Sequence, residues 1–183
     1  MAAEHGYRFI NSGNEPNLIA GVATYVLEML EAQPDLDTII IPVGSGGGAA
    51  GACIAAHAIN PRIRVIATQS ELAPAAFLSW QSRAICTAEN HTFAEGLATG
   101  KGFELPQQIL WDQLDDFVLV SDAEIRQATV WLIQHARTLA EPAGAASLAA
   151  LYKLRHELQG HKVGIVCSGG NISPDQLRDV LAG

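Results

Sequence analysis

The chain has 183 residues, of which 49% are hydrophobic and 16% are charged. This composition excludes an intrinsically disordered chain, and because no window approaches roughly 18 uninterrupted apolar residues, it predicts no membrane-spanning helix and no membrane partner. The formal net charge of −8 argues against a nucleic-acid partner, since binding to a phosphate backbone needs a basic surface.

Taken in chain order, short β-branched runs alternate with segments of helical periodicity. In the first half, strands are predicted at 7–10, 38–43 and 63–68, and helices at 16–33, 48–60 and 74–80. The run 38–43 is continuously apolar, which is typical of a strand buried on both faces.

In the second half, the pattern is less regular but still alternates. The predicted elements are a short strand at 84–86, a loop at 92–102, strands at 117–120 and 163–167, and helices at 105–114, 121 to about 138, 141 to about 159 and after 174. Ser121 and Glu124 have the spacing of a capping box at a helix start. Since strands separated by helices imply right-handed crossovers, we predict an α/β fold: one three-layer domain over residues 1–183, with a mostly parallel sheet and helices on both faces.

The start of the sequence and its cysteines indicate the compartment. The first six residues lack the basic start and apolar stretch of a signal peptide. The three cysteines, Cys53, Cys86 and Cys167, are an odd number, lie far apart and have apolar neighbours. We therefore expect a cytoplasmic protein with buried, reduced thiols.

A glycine-rich stretch, Gly44–Gly51, follows the strand predicted at 38–43. A turn of this kind, running into a helix, exposes unpaired N–H groups beside the positive end of the helix dipole and makes a phosphate site without cationic side chains. The helix-end contribution is modest, about 0.3–1 kcal/mol, so several hydrogen bonds to the anion would supply the rest. The sequence thus predicts a small anionic ligand or a phosphate group at residues 44–48, which we name the glycine loop.

Two other interpretations of this stretch remain open from the residues alone. Gly46–Gly51 fits the dinucleotide pattern G-x-G-x-x-G, and Glu71 lies about 20 residues further on, as a ribose-binding acid would. Alternatively, the glycines permit close packing of a strand and a helix with no ligand. The P-loop pattern fails, because no Lys-Ser or Lys-Thr follows the glycines.

Several motifs taken together resemble the pyridoxal-phosphate enzymes of the threonine/serine dehydratase (ammonia-lyase) family, which have fold type II. The motifs are PVGSGGG at 42–48, EPAGAA at 141–146, VCSGGN at 166–171, AGVAT at 20–24, TFAEGLA at 92–98 and DDFVLVSD at 115–122. The resemblance covers nearly the whole chain. It implies the later part of the large cofactor-binding domain, truncated at its N-terminus.

The resemblance also implies a role for individual residues. Gly96 would border the cofactor ring, Glu141 would lie near the substrate, and Ser168 would hydrogen-bond the pyridine nitrogen. A neutral serine at that position, in place of a carboxylate, keeps the cofactor ring a weaker electron sink. This favours β-elimination over reactions that need a more strongly stabilised carbanion. The phosphate would be held by the backbone of Gly44, Ser45, Gly46, Gly47 and Gly48, with Ser45 standing where the family typically has another glycine.

The family's Schiff-base lysine has no counterpart in this sequence. That lysine lies in a Ser-x-Lys-x-Arg-like motif, and Lys101, Lys153 and Lys162 all lie elsewhere. We therefore expect no catalytic residue and, if pyridoxal phosphate binds at all, non-covalent binding. Residues 11–14 resemble the family's Ser-Gly-Asn-His loop, but the register makes them an unrelated turn. Gln69 stands where some family members have a metal-binding acid, so no metal site is expected.

Three functional hypotheses follow. The resemblance implies a domain whose full-length relatives eliminate water from serine or threonine, giving a 2-oxo acid and ammonia, and which is inactive alone. The second hypothesis is a non-catalytic ligand-binding or oligomerisation module, with a homodimer as the expected assembly because missing neighbours would expose a sheet edge and apolar surface. The third is an NAD-type dinucleotide-binding domain.

Overall fold

The computed structural model of the protein describes residues 1–182. Four strands lie in this part of the chain: β1 (Thr38–Pro42), β2 (Arg64–Ser70), β3 (Asp116–Val120) and β4 (Val163–Ile165). The α-helices are α1 (Pro16–Val22), α2 (Thr24–Ala32), α3 (Gly47–Ile59), α4 (Ala75–Ser82), α5 (Glu104–Gln113), α6 (Asp122–Trp131), α7 (Pro142–Lys153) and α8 (Pro174–Leu181). None of the helices described is long and apolar enough to cross a membrane.

The four strands form one parallel sheet in the order β3-β2-β1-β4. The central strand β1 alternates its side chains between two cores. Ile39 and Ile41 pack among residues of α2, α3 and α5, whereas Ile40 packs among residues of α6 and α7 on the other face. All three isoleucines are at most 1% exposed, and burying each contributes about 1.5–3 kcal/mol. The predicted three-layer α/β fold is confirmed.

The structure corrects three of the elements predicted between residues 7 and 86. Residues 7–10 form no strand, and Tyr7 and Phe9 are 72% and 76% exposed. A strand-like pattern needs a neighbouring strand to pair with, and this segment lies against none. The single helix predicted at 16–33 is two helices that meet at Ala23, where the Thr24 hydroxyl donates to the Gly21 carbonyl (2.8 Å). The strand suggested at 84–86 is absent, and Thr87 forms an isolated bridge with Lys101 instead.

In the second half, one helix continues as a wider turn close to its predicted end, and another helix and a strand are shorter than the sequence predicts. The capping box of α6 is confirmed, with the Ser121 hydroxyl accepting from the Glu124 N–H (3.2 Å). This helix changes to a wider π-turn at Leu132–Ala136, and Arg137 then terminates it in the left-handed conformation (φ +54°). Helix α7 ends at Lys153 rather than near residue 159, and β4 is three residues long rather than five.

The expectation of three buried thiols holds for one cysteine. Cys53 is fully buried, and this burial raises the pKa of its thiol to about 12. Cys86 is half-buried, and Cys167 is exposed, because it lies just beyond the end of the edge strand β4. All three thiols are free.

Candidate functional site

The glycine loop leaves the carboxyl end of β1 and leads into α3. Gly46 caps this helix with φ +93°, a backbone conformation that favours glycine. The first helical hydrogen bond runs from the Ala50 N–H to the Gly46 carbonyl (2.9 Å). Within the described residues, none of the N–H groups of 44–49 donates to another protein group. A row of free donors therefore lies at the positive end of α3, as an anion site requires.

Two glycines of this loop are not required by the packing around them. A Cβ added to Gly47 would approach no atom closer than 3.7 Å, and one added to Gly48 none closer than 3.9 Å, which are ordinary van der Waals contacts. By contrast, a Cβ on Gly51 would lie 2.7 Å from the Ile19 carbonyl oxygen, so Gly51 permits close packing of α3 against α1. Packing therefore explains why residue 51 is a glycine, but it does not explain the glycines at 47 and 48.

The first residue of the loop lies against Gly96, which belongs to a 3₁₀ turn at Glu95–Leu97. A Cβ on Gly44 would overlap the Gly96 carbonyl oxygen, and one on Gly96 would lie 2.7 Å from the Ala143 Cβ and 3.4 Å from the Glu141 Oε1. The structure thus brings Gly44, Gly96 and Glu141, which are far apart in the sequence, into one contiguous group.

Glu141 caps the start of α7 and holds the turn at 169–171. Its N–H donates to the Gly169 carbonyl (3.1 Å), and its Oε2 accepts from the Asn171 N–H (3.0 Å). Asn171 therefore takes part in this turn through its backbone. The carboxylate is half-buried between the turn and the Gly96 region, which places one negative charge at this side of the site.

Ser168 lies on a cavity that also reaches the glycine loop. This cavity has a volume of about 420 Å³, and Gly48, Tyr25, Cys167 and Ser168 are among the residues that line it. The Tyr25 hydroxyl donates to the Gly48 carbonyl (3.1 Å), and burial raises the pKa of this phenol far above its usual value, so it stays protonated. Partial desolvation raises the pKa of the Cys167 thiol too.

Two residues near the loop were not predicted from the sequence. Tyr25 contacts Gly48, and Thr99 donates a hydrogen bond to the Gly44 carbonyl (3.2 Å). Neither belongs to a motif, and Tyr25 fits the helical pattern of 16–33 without any polar signal. The turn at 11–14, predicted not to be the family's Ser-Gly-Asn-His loop, lies near the glycine loop: the Ser12 carbonyl oxygen would be 3.9 Å from a Cβ on Gly47.

The three lysines, the possible metal ligands and Glu71 are the remaining candidates from the sequence. Lys101 is exposed, Lys153 donates to the Leu119 carbonyl (2.9 Å), and Lys162 pairs with Asp35. Within residues 1–182, no group of three or more His, Cys, Asp or Glu side chains could hold a metal ion. Glu71 is exposed at the end of β2, where a ribose-binding acid would stand.

Two curated relatives illustrate what the sequence is similar to. It is 34% identical to L-threonine ammonia-lyase of Thermotoga maritima over 177 residues, which cover 96% of this chain and 44% of that protein. It is 38% identical to the catabolic L-threonine dehydratase TdcB of Escherichia coli over 178 residues, which cover 96% of this chain and 54% of that protein. The chain thus spans about half the length of the curated relatives it matches.

Solved structures have the same fold. Serine racemase from Dictyostelium discoideum superimposes with a TM-score of 0.87 at 33% identity, over 94% of this chain and 56% of that one. A threonine deaminase from T.th. superimposes with a TM-score of 0.89 at 30% identity, over 94% of this chain and 63% of that one. These likenesses confirm the expected fold type II and the resemblance to threonine dehydratases.

The sequence model of one family covers most of the chain. The family is described as pyridoxal-phosphate dependent enzyme, and its model matches residues 1–169. The matched range includes the glycine loop, Gly96, Glu141 and Ser168. The cofactor of this family is pyridoxal phosphate, as expected from the motifs. The chain therefore belongs to the pyridoxal-phosphate-dependent enzyme family.

Proposed function

We propose that this threonine dehydratase-like domain binds the phosphate end of pyridoxal phosphate without a covalent bond and does not catalyse β-elimination alone. The observation that carries the proposal is the row of free N–H donors at residues 44–49, beside two glycines that packing does not require. Several such donors together can satisfy a phosphate dianion in a chain whose net charge is −8.

The residues present fit the cofactor in three places. The N–H groups of the glycine loop would bind the phosphate, and the absence of side chains at Gly47 and Gly48 lets it approach the backbone. The Ser168 hydroxyl, which has no hydrogen-bond partner among the described residues, would bond the pyridine nitrogen from the wall of the same cavity. Glu141 would stand on the substrate side and keep the 169–171 turn in place.

The chemistry that pyridoxal phosphate supplies is electron withdrawal from the α-carbon of an amino acid, which permits loss of a β-hydroxyl group. In the full-length relatives named threonine ammonia-lyase or dehydratase, we infer that the matching residues bind and orient the cofactor for this reaction. The net change for threonine or serine is conversion to a 2-oxo acid and ammonia. The residues of this chain contribute binding and orientation, and within residues 1–182 no lysine forms a hydrogen bond with the glycine loop.

Cofactor binding and turnover are measured separately to test the proposal. We expect added pyridoxal 5′-phosphate to bind in a fluorescence titration, to be displaced by inorganic phosphate and to be removed by dialysis. Incubation of the complex with L-serine or L-threonine should release no 2-oxo acid at an enzyme-like rate. A lysine adduct trapped by borohydride at one position, or steady turnover, would contradict the proposal.

A second function, self-association, is favoured by the free edge of the sheet. β4 is an edge strand. Its neighbour β1 forms hydrogen bonds with the even-numbered residues along the β4 segment: the Lys162 carbonyl accepts from the Thr38 N–H (3.3 Å), and the Val166 N–H donates to the Ile40 carbonyl (3.0 Å). The N–H and C=O groups of Val163 and Ile165 consequently face outwards. Apolar cavities of about 460 and 420 Å³ also lie beside this edge, and Ile165 lines both.

A second copy of the chain fits this edge by symmetry. Antiparallel pairing of two β4 strands about a two-fold axis at Gly164 sets Val163 of one copy opposite Ile165 of the other and forms about four hydrogen bonds. We expect a dimer in sedimentation at micromolar concentration. Val163→Pro removes one outward N–H and should give a monomer, whereas the matched control Val163→Thr should remain dimeric. A monomeric wild type, or a dimeric proline variant, would overturn this candidate.

A further inference from the structure

The Thr99 hydroxyl links the glycine loop to the buried interior of the sheet. Its Oγ1 donates to the Gly44 carbonyl (3.2 Å) and lies 3.4 Å from the Nε2 of Gln69. Gln69 is fully buried near the end of β2. A buried amide in a core needs partners for all its polar atoms, so its orientation is informative.

The two ends of the Gln69 amide are fixed by different partners. Its Oε1 accepts from the N–H groups of Ala76 and Phe77 (both 3.2 Å) at the start of α4, a helix whose own N-cap residue provides no side-chain bond. With the oxygen held there, the Nε2 faces Thr99 and donates to its hydroxyl. Because a hydroxyl has one hydrogen, Thr99 directs it to the Gly44 carbonyl.

This bond determines which way the next peptide group points. In a trans peptide, the C=O of Gly44 and the N–H of Ser45 point in opposite directions. Thr99 holds the carbonyl on its own side, so the Ser45 N–H points away from it, and that N–H has no protein partner in the described part of the chain. This peptide joins Gly44 to Ser45, and the backbone of Gly44 on its N-terminal side resists rotation little.

We propose that Thr99 and Gln69 are positioning residues, which fix the Gly44–Ser45 peptide so that the Ser45 N–H is ready to bind the phosphate of a phosphorylated ligand. This inference rests on the proposed function of the glycine loop. Because the peptide is already oriented before binding, the loop loses less conformational entropy when the ligand binds. Neither residue touches the ligand, since both act through the backbone of Gly44.

The test compares two substitutions at Thr99 with two ligands. Thr99→Val keeps the shape of the side chain but removes the hydroxyl, and Thr99→Ser keeps the hydroxyl. For pyridoxal 5′-phosphate, we expect Thr99→Val to raise the Kd about tenfold and Thr99→Ser to stay within about threefold of wild type. For pyridoxal, which lacks the phosphate, both variants should match wild type. Circular dichroism checks that each variant is folded.

The outcomes separate this inference from the function on which it rests. Equal binding of pyridoxal 5′-phosphate by Thr99→Val and wild type would overturn the positioning role and leave the phosphate site intact. A loss that Thr99→Ser does not restore, or an equal loss for pyridoxal, would show a general structural effect and would also overturn it. A wild type that does not bind pyridoxal 5′-phosphate would remove both the inference and the proposed function.

Discussion

Replacing Gly48 by alanine adds one methyl group near the start of α3, on the wall of the 420 Å³ cavity. The nearest heavy atom to the added carbon is the Tyr25 hydroxyl oxygen at 3.9 Å, so the protein itself accepts the methyl without a clash. Alanine is favoured over glycine inside a helix by about 0.5–1 kcal/mol. The fold alone thus predicts a more stable protein.

Gly48→Ala should change both the melting temperature and the affinity for pyridoxal 5′-phosphate. For a chain of this length, about 1 kcal/mol shifts the melting temperature by roughly 2–4 °C, so Gly48→Ala should raise it by about 1–4 °C without ligand. If the phosphate approaches the backbone here, the methyl takes part of its space. We expect the Kd for pyridoxal 5′-phosphate to rise at least tenfold, about 1.4 kcal/mol. Scanning calorimetry and a fluorescence titration measure the two effects.

Gly51→Ala is the matched control on the same helix. Its added carbon would lie 2.7 Å from the Ile19 carbonyl oxygen and 3.2 Å from the Ala23 Cα, which are backbone atoms. Overpacking of this kind costs about 1–3 kcal/mol, so its melting temperature should fall while the folded fraction still binds. If Gly48→Ala melts higher and binds pyridoxal 5′-phosphate as well as wild type, the reasoning about Gly48 is refuted.

Two further predictions concern pH and thiol chemistry. Burial alone would raise the pKa of Glu124, but the Ser121 N–H and the Lys153 ammonium outweigh burial and hold that pKa below its usual value. The contribution of Glu124 to folding stability is therefore fully present above the ordinary carboxyl pKa of about 4.3, and it is lost as the pH falls through the lower pKa of the folded state. Glu124→Gln should make unfolding in urea less sensitive to pH between about 5 and 3, and an unchanged pH profile would contradict this. An aromatic disulfide reagent at pH 7 should modify the exposed Cys167 but not Cys53, whose pKa of about 12 keeps it protonated. Modification of Cys53 in the native protein, read by mass spectrometry, would contradict its burial.

The layered fold could be predicted because the sequence repeats the same local signals. Ile39–Ile41 indicates a strand buried on both faces, and Ser121 with Glu124 indicates a helix start, and both were confirmed. The strand predicted at 7–10 was wrong, since a strand depends on a partner that the local sequence does not reveal. The exposure of Cys167 has the same cause, because it depends on the position of β4 at the sheet edge.

The candidate site was predictable where it follows a motif and not where it depends on tertiary packing. The glycine loop lies in one contiguous stretch, and its bare backbone follows from composition. Thr99 lies 55 residues from Gly44, and Tyr25 lies 23 residues from Gly48, so only the folded chain brings each pair together. Their side chains have no unusual spacing, and single threonines and tyrosines occur in any domain.

The central claim is that the glycine loop binds the phosphate of pyridoxal phosphate rather than a dinucleotide. The melting temperature of the wild-type chain with each ligand tests it most directly. A ligand present at about one hundred times its Kd stabilises the folded state by about 2.7 kcal/mol, which is a shift of several degrees in a chain of this size. We predict that pyridoxal 5′-phosphate raises the melting temperature and that NAD does not. A rise with NAD and none with pyridoxal 5′-phosphate would contradict the account.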